Sequence, residues 1–523
     1  MNEKIGYNRI RKVIEFYRKG YYGKGEKIMN HMDEMGLAEQ KQWTVPLCDR
    51  VVTNEVSGEF ILPDYQPEIR RLLWIKQTTL PPAKYIGGGQ VEWNGTVDYQ
   101  VLYVGSDGGL YTVPLSAEYS GSAPMEQMNE VDLGAGVTAF VTTVCEGSNT
   151  RVSAARKLSI RSRMRSHVRA YGCVRMEEQI SGDVEPSTVR RLAAEADNMI
   201  AMSGISDMIP IGDEIGGLGE DVRVISADGT VFLEEICPSD GMVLSRGELL
   251  LKLMVSRGDG EAETVTRRLP LEGQVELDGM TADGMCTVTG TVSELTVTVE
   301  EGKILCEIGV LLSARGMCNR RMSYTADLYS TAVESECEYR STCVPVALKC
   351  EKGNVSQSER IPTEGMNLPK DASVVDSMGT VIFDGCEQAE GAYVLTGQSR
   401  YWLLCRKDTE YSVAEVTLPL RYEMKGESQA PACYDAVGEV LSCRARLDGD
   451  TLCVDAELSV TADFVGSEEI QTVSAVRFGD PLNCRDNRMV VYYPLPEDTA
   501  WTVAKKYHIS PEKLSEGASY YLI

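Results

Sequence analysis

One feature constrains this chain more than any other: a stretch of strict alternation that occurs three times. In the first copy Val91, Trp93, Gly95, Val97, Tyr99, Val101 and Tyr103 occupy every second position. Val243, Ser245, Gly247, Leu249, Leu251, Leu253 and Val255 do the same in the second copy, and Tyr393, Leu395, Gly397, Ser399, Tyr401, Leu403 and Cys405 in the third. Successive side chains of a strand point to opposite faces, so each stretch predicts a strand with one buried face. Gly95, Gly247 and Gly397 align about 150 residues apart, and a glycine inside a strand marks a bulge or a close backbone approach.

Two further landmarks follow in the same order. Val113-Pro114-Leu115, Leu269-Pro270-Leu271 and Leu418-Pro419-Leu420 place a proline in each following strand, which predicts an edge or a strand start. A later strand alternates as Leu158, Ile160, Ser162, Met164, Ser166, then as Ile304, Cys306, Ile308, Val310, Leu312, then as Leu452, Val454, Ala456, Leu458, Val460. The fold class expected is mainly β: three repeated antiparallel modules, each sheet buried on one face, with short connecting helices and a small C-terminal αβ module. Pattern alone leaves sandwich and barrel open.

At roughly one domain per 150 residues, 523 residues allow three or four domains. The segments between repeats complete the expected organisation. Residues 1–45 form a helical arm, with Ile10, Val13, Ile14 and Phe16 at helical spacing among basic residues. Residues 46–175, 206–340 and 341–488 are the three β modules. Residues 176–205 are a helical linker, with Ser187 as N-cap and Gly204 as stop. The polar stretch 352–370, with Pro362 and Pro369, reads as loop and boundary. Residues 489–523 are the C-terminal module, ordered strand, helix over Asp498–His508, second helix from Ser510-Pro511, and a strand at Tyr520–Ile523.

The net charge of −26 argues against coating nucleic acid through bulk charge. No apolar run is long enough for a transmembrane helix, and the N-terminus lacks the apolar core of a secretory signal. The 16 cysteines include no CxxC pair and many lie within apolar strand patterns. They therefore read as reduced thiols in a cytosol, with no zinc site. Three histidines, no Walker-type phosphate loop and no GxSxG elbow leave catalysis without a motif. No enzyme activity, cofactor or metal is expected.

One strand carries an unusual charge pattern. Lys157, Arg161, Arg163, Arg165, His167 and Arg169 share one face, and in the third copy that face carries Asp455, Glu457 and Asp463. The basic face is a candidate dock for an acidic partner. It is equally a face matched by a neighbouring acidic strand of the same chain, or simply solvated.

The C-terminal residues Asp498, Thr499, Trp501, Val503, Ala504, Tyr507, Ile509, Ser510 and Leu514 resemble a LysM module. Glu497 and Ala500 depart from the family pattern, and the tail is shorter, in loops that a glycan-binding LysM would use. Leu62-Pro63-Asp64-Tyr65-Gln66-Pro67-Glu68-Ile69, followed by Val97-Asp98-Tyr99-Gln100-Val101-Leu102-Tyr103-Val104, resembles the SPOCS domain of spore-forming Firmicutes. Three such repeats before a terminal LysM-like module resemble SipL-type spore coat morphogenetic proteins. The resemblance implies a non-enzymatic coat scaffold in the mother-cell cytoplasm. It implies binding to a coat basement-layer ATPase of the stage IV sporulation protein A type through the C-terminal module. Trp501, Tyr507, Lys505, Lys506, Tyr492 and Tyr493 are the partner-binding candidates there, and the two aromatics on the helix are equally the core of so small a module. The alternatives are a LysM protein binding peptidoglycan or cortex glycan, and a cell-wall polysaccharide hydrolase.

Overall fold

The computed structural model describes residues 42–126, 136–217, 219, 221–257, 261–366, 368–369, 371–389, 391–426, 429–482, 491–495, 498–516 and 521–522. The expected helical arm lies almost wholly outside these residues. Within them the chain is mainly β and almost entirely antiparallel.

The first module runs β1 (Gln42–Ile61), β2 (Ile69–Thr79), β3 (Ala83–Gly87), β4 (Gln90–Gly105), β5 (Leu110–Pro124), β6 (Val137–Ala154) and β7 (Lys157–Arg175). A short β8 (Gln179–Ser181) leads to the second: β9 (Val189–Ile205), β10 (Ile209–Ile215), β11 (Arg223–Ser239), β12 (Met242–Ser256), β13 (Ala262–Glu276), β14 (Met285–Glu300) and β15 (Lys303–Ser330). The third is β16 (Val333–Pro362), β17 (Ser373–Ala389), β18 (Ala392–Lys407), β19 (Glu410–Lys425), β20 (Cys433–Asp448) and β21 (Thr451–Pro481).

Each module is a two-sheet sandwich with the same wiring. One sheet holds the first, last and penultimate strands, as β1-β7-β6, β9/β10-β15-β14 and β16-β21-β20. The other holds the strands between them: β2/β3-β4-β5, β11-β12-β13 and β17-β18-β19. The alternating residues of the repeat face the space between sheets. Val97, Tyr99 and Val101, then Leu249, Leu251 and Leu253, then Tyr401, Leu403 and Cys405 are all buried. Burying an aliphatic or aromatic side chain contributes about 1.5–3 kcal/mol, so these central strands dominate the stability of each module. Pro114, Pro270 and Pro419 lie on β5, β13 and β19, each at the edge of its sheet, where a missing N–H costs no ladder bond.

The aligned glycines sit at close approaches. A Cβ on Gly247 would fall on the carbonyl oxygen of Phe232, and one on Gly397 on that of Ile382. Both oppose a register shift, at Leu233/Glu235 and Phe383/Gly385. In the first copy the equivalent strand breaks into β2 and β3 around Pro81-Pro82, and Gly95 meets only the Tyr119 side chain.

Three expectations need correction. The linker helix over 187–202 is a single 3-10 turn, Pro186–Thr188, followed by β9. Its residues pair along Ser313–Ser330 of β15, so the second module begins at 189 rather than 206. Asn198 fixes this: its side-chain oxygen accepts from the Thr44 N–H and its amide donates to the Thr44 carbonyl, stitching β9 to the first module. Asn319 makes the same two bonds with Ala347 of the third module. The stretch 352–362 belongs to β16 rather than to a loop, and the turn between the second and third modules lies at residues 331–332. Finally, the only α-helix among the described residues is α1 (Ala500–Tyr507), so the modules have no connecting helices there.

The three sandwiches close a ring. β5 packs on β11, β13 on β17 and β19 on β2, the same junction three times. Equivalent residues converge on an approximate threefold axis. Leu102, Met254 and Leu404 form one buried layer, and Tyr171, Met317 and Val465 another.

Candidate functional site

Between those layers lies an ionic cluster that the repeat explains. Arg169, Arg315 and Asp463 each stand eleven residues beyond the aligned Leu158, Ile304 and Leu452, so they are the same position of β7, β15 and β21. Arg169 and Asp463 meet at 2.6 Å as a charge pair whose angles fall outside hydrogen-bonding geometry. Arg315 Nη2 lies 3.0 Å from the same carboxylate, and Arg315 Nη1 contacts Asp435. All four side chains are buried or nearly so: Arg169 is 1% exposed and Asp463 0%. Burial opposes the Asp435 charge, but Arg315, His167 and Arg169 outweigh it and hold the carboxyl well below the usual range. Burial likewise opposes the His167 charge, and hydrogen bonds to Asp435 and Asp49 outweigh it, raising the ring to about 8.

The basic strand therefore finds its counter-charges inside the chain. Lys157 pairs with Glu59 at 2.6 Å and Arg161 approaches Glu55 at 3.9 Å. Arg163 and Arg165 share Glu146 at 3.0 and 3.1 Å, and His167 contacts Asp49 at 2.7 Å. Arg165 also donates to the Phe383 carbonyl of the third module. Lys157, Arg161 and Arg163 remain solvent-facing, where such pairs contribute about 0–1 kcal/mol. Arg169 is no docking residue: it lies on the axis. The acidic face of the third copy and the basic face of the first meet within one molecule, through Asp463.

A cavity of about 920 Å³ sits beside this cluster and is lined by all three modules. Six strands contribute most of its wall, β2, β11 and β17 from one set of sheets and β6, β14 and β20 from the other, with single residues or short runs added from β3, β9, β12, β13 and β15. The six main strands are edge strands, so the wall presents backbone groups outside the ladders as well as threonine hydroxyls. Ion pairs Lys76–Asp228 and Lys252–Asp376 bridge the modules along the same wall. Glu439 faces the cavity; burial pushes its carboxyl up to about 7 against the pull of Lys352 and Lys76. Lys84 is held down at about 8 by burial and by the nearby Arg315.

The C-terminal module combines α1, a 3-10 turn at Pro511–Lys513 and a three-stranded sheet of β22 (Val491–Tyr492), β23 (Ser515–Glu516) and β24 (Tyr521–Leu522) in the order β22-β24-β23. Thr499 caps α1 through a reciprocal bond with Thr502, and His508 ends it in the left-handed region. Pro511 opens the second turn as the sequence predicts. Ser510 instead donates to Glu512 and accepts from Arg190, so it does not cap.

This module is docked on the body. Trp501 Nε1 donates to Asp327 at 2.8 Å, Lys505 to the other oxygen of Asp327 at 2.5 Å, and Tyr329 to the Ile509 carbonyl at 2.6 Å. The Trp501 and Tyr329 rings meet edge to face at 5.0 Å. Trp501 and Lys505 are thus occupied by the chain's own second module. Tyr507 packs edge to face on Tyr492, and Lys506 lies 4.9 Å over the Tyr492 ring. Val491, Tyr493 and Leu495 are exposed, Tyr493 at 70%.

Sequence reasoning missed Arg315, Asp435, Lys84 and Glu439. For Arg315 the signal was present in the repeat alignment; the others depend on how modules meet. The fifteen described cysteines are free thiols. No group of three or more potential metal ligands, and no helix long and apolar enough to cross a membrane, occurs among the described residues. Compared with known protein families, with curated proteins and with solved structures, the chain gives no match.

Proposed function

We propose that the protein is a non-enzymatic scaffold of spore coat assembly. Its three SPOCS-like modules form a single adaptor body on the mother-cell side of the forespore surface. Its LysM-like C-terminal module engages a coat basement-layer ATPase of the stage IV sporulation protein A type. The observation that supports this most directly is the way the C-terminal module is held. One side is anchored through Trp501, Lys505 and Ile509, while Val491, Tyr493 and Leu495 stay exposed beside the Lys506–Tyr492 pair. An anchored module presenting apolar, aromatic and cationic groups has the composition of a protein-binding surface.

The test is a pull-down of the ATPase by the full chain, by a chain lacking residues 489–523, and by full-length Y493A/L495S. Loss of capture in both altered chains is expected. Unchanged capture by the deletion overturns the assignment. Co-sedimentation with purified peptidoglycan, without capture of the ATPase, would replace it with the glycan-binding reading.

A further inference from the structure

On the cavity wall Asp228, Asp376 and Glu439 answer Lys76, Lys252 and the neighbouring Lys352, and in the adjoining ionic cluster one positive charge is left without a paired carboxylate. Arg169, Arg315, His167 and Lys84 converge there, against two buried carboxylates, Asp435 and Asp463. Asp49, the third acid, reaches only His167 and is half exposed. Lys84 is the surplus cation. It lines the cavity and donates to the Ala139 carbonyl and the Ser203 hydroxyl, each at 3.0 Å, with Arg315 as its charged neighbour. Lys84 is exposed as a residue, but its ammonium end lies on the cavity wall beside a guanidinium with only neutral acceptors, so two like charges face one space and attract an anion into it.

The hydroxyls around it are already arranged. Arg315 Nη1 donates to Thr142 at 2.8 Å and Arg315 Nε to Thr287 at 3.3 Å. Thr142, Ser203, Thr287, Lys84 and Arg315 all line the same cavity, and they come from the first and second modules together. The site exists only where the first two modules meet.

We propose that this end of the central cavity binds a small oxyanion, a phosphate or carboxylate group, with Lys84 as its principal cation and Ser203 and Thr287 as hydroxyl partners, the Thr142 hydroxyl being engaged with Asp435. The cavity has room for an organic molecule carrying that group. The ligand would bridge the first two modules, which makes it a ligand of the assembled body rather than of one sandwich.

The test is calorimetric titration of the full chain with inorganic phosphate and, separately, with citrate, using sodium chloride at matched ionic strength as the reference. Saturable binding of one or both, with none in chloride, is expected, and the stronger arm tells phosphate from carboxylate. K84M should weaken that binding about tenfold or more, the scale of one charge-assisted hydrogen bond. K303M, which removes an exposed lysine paired with Glu214, should leave it unchanged. Absence of saturable binding by the unaltered chain, or equal affinity in K84M, overturns the proposal. Should K84M not fold, the unaltered chain's titrations decide it alone.

Discussion

Replacing Asp463 tests whether the axial cluster holds the ring together. Its carboxylate is fully buried and faces two guanidiniums, Arg169 at 2.6 Å and Arg315 at 3.0 Å. D463N keeps the shape and removes the charge. Two buried guanidiniums then share Asp435 alone, which lies 4.0 Å from Arg169. Breaking a buried ion pair by removing one partner costs about 3–5 kcal/mol, because the remaining charge stays desolvated. The double variant R169M/D463L removes one charge of each sign and leaves the Arg315–Asp435 contact in place. Apolar replacement of a whole buried pair is close to neutral, so the double variant should be more stable than D463N. Urea unfolding followed by tryptophan fluorescence measures both. A D463N midpoint corresponding to less than about 1 kcal/mol of loss, or a double variant below the single one, would refute the argument that this charge is structurally paired.

Three further outcomes follow from the same geometry. The His167 ring is raised to about 8 in the folded chain, against about 6.5 unfolded; its contribution is complete below about pH 6.5 and is lost as pH rises through 8, so the stability gap between the unaltered chain and H167Q should shrink from pH 6 to pH 9, and a constant gap would contradict the assignment. G247A and G397A put a Cβ onto a neighbouring strand's carbonyl, whereas G95A meets the Tyr119 side chain rather than backbone; melting temperatures should fall further for the first two than for G95A. W501A should release the C-terminal module, raising hydrogen exchange over residues 500–514 while leaving the urea midpoint of the body unchanged, and exchange as slow as in the unaltered chain would show that the Trp501–Asp327 bond does not anchor it.

The strands were legible because burial on one face of a sheet writes a period of two directly into the residues, as at Val97–Tyr103 and Leu249–Val255. The edge prolines and glycine approaches were legible for the same local reason. The stretch Val189–Ile205 was not. Its Arg-Arg-Leu-Ala-Ala-Glu-Ala run carries high helix propensity, worth a few tenths of a kcal/mol per residue. A ladder with β15 and the paired Asn198–Thr44 bonds outweigh that preference, and neither partner is near in sequence. The basic strand was legible as a face but not in its use: its partners Glu55, Glu59 and Glu146 lie on adjacent strands, and Asp463 comes from a module almost 300 residues away. Likewise Trp501 reads as a module core or a partner contact until Asp327 is seen against it.

The repeated position on the axis also explains why three similar modules form one ordered body. A ring built from three copies of the first module would bring three Arg169 side chains together. Three copies of the second would gather Arg315, and three of the third Asp463. Each such ring places like charges in a buried site, where their repulsion is strong and solvent screening weak. The natural order, with two arginines, Asp463 and the adjacent Asp435, is the arrangement that neutralises the axis. Like charges thus disfavour rings of identical modules, while opposite charges favour the single-chain ring. Closure within one chain also leaves one C-terminal module per body. If the C-terminal module is the partner surface proposed above, the body carries one such surface for every three β modules, and the partner would be recruited in a one-to-one ratio, a stoichiometry that light scattering of the purified complex measures.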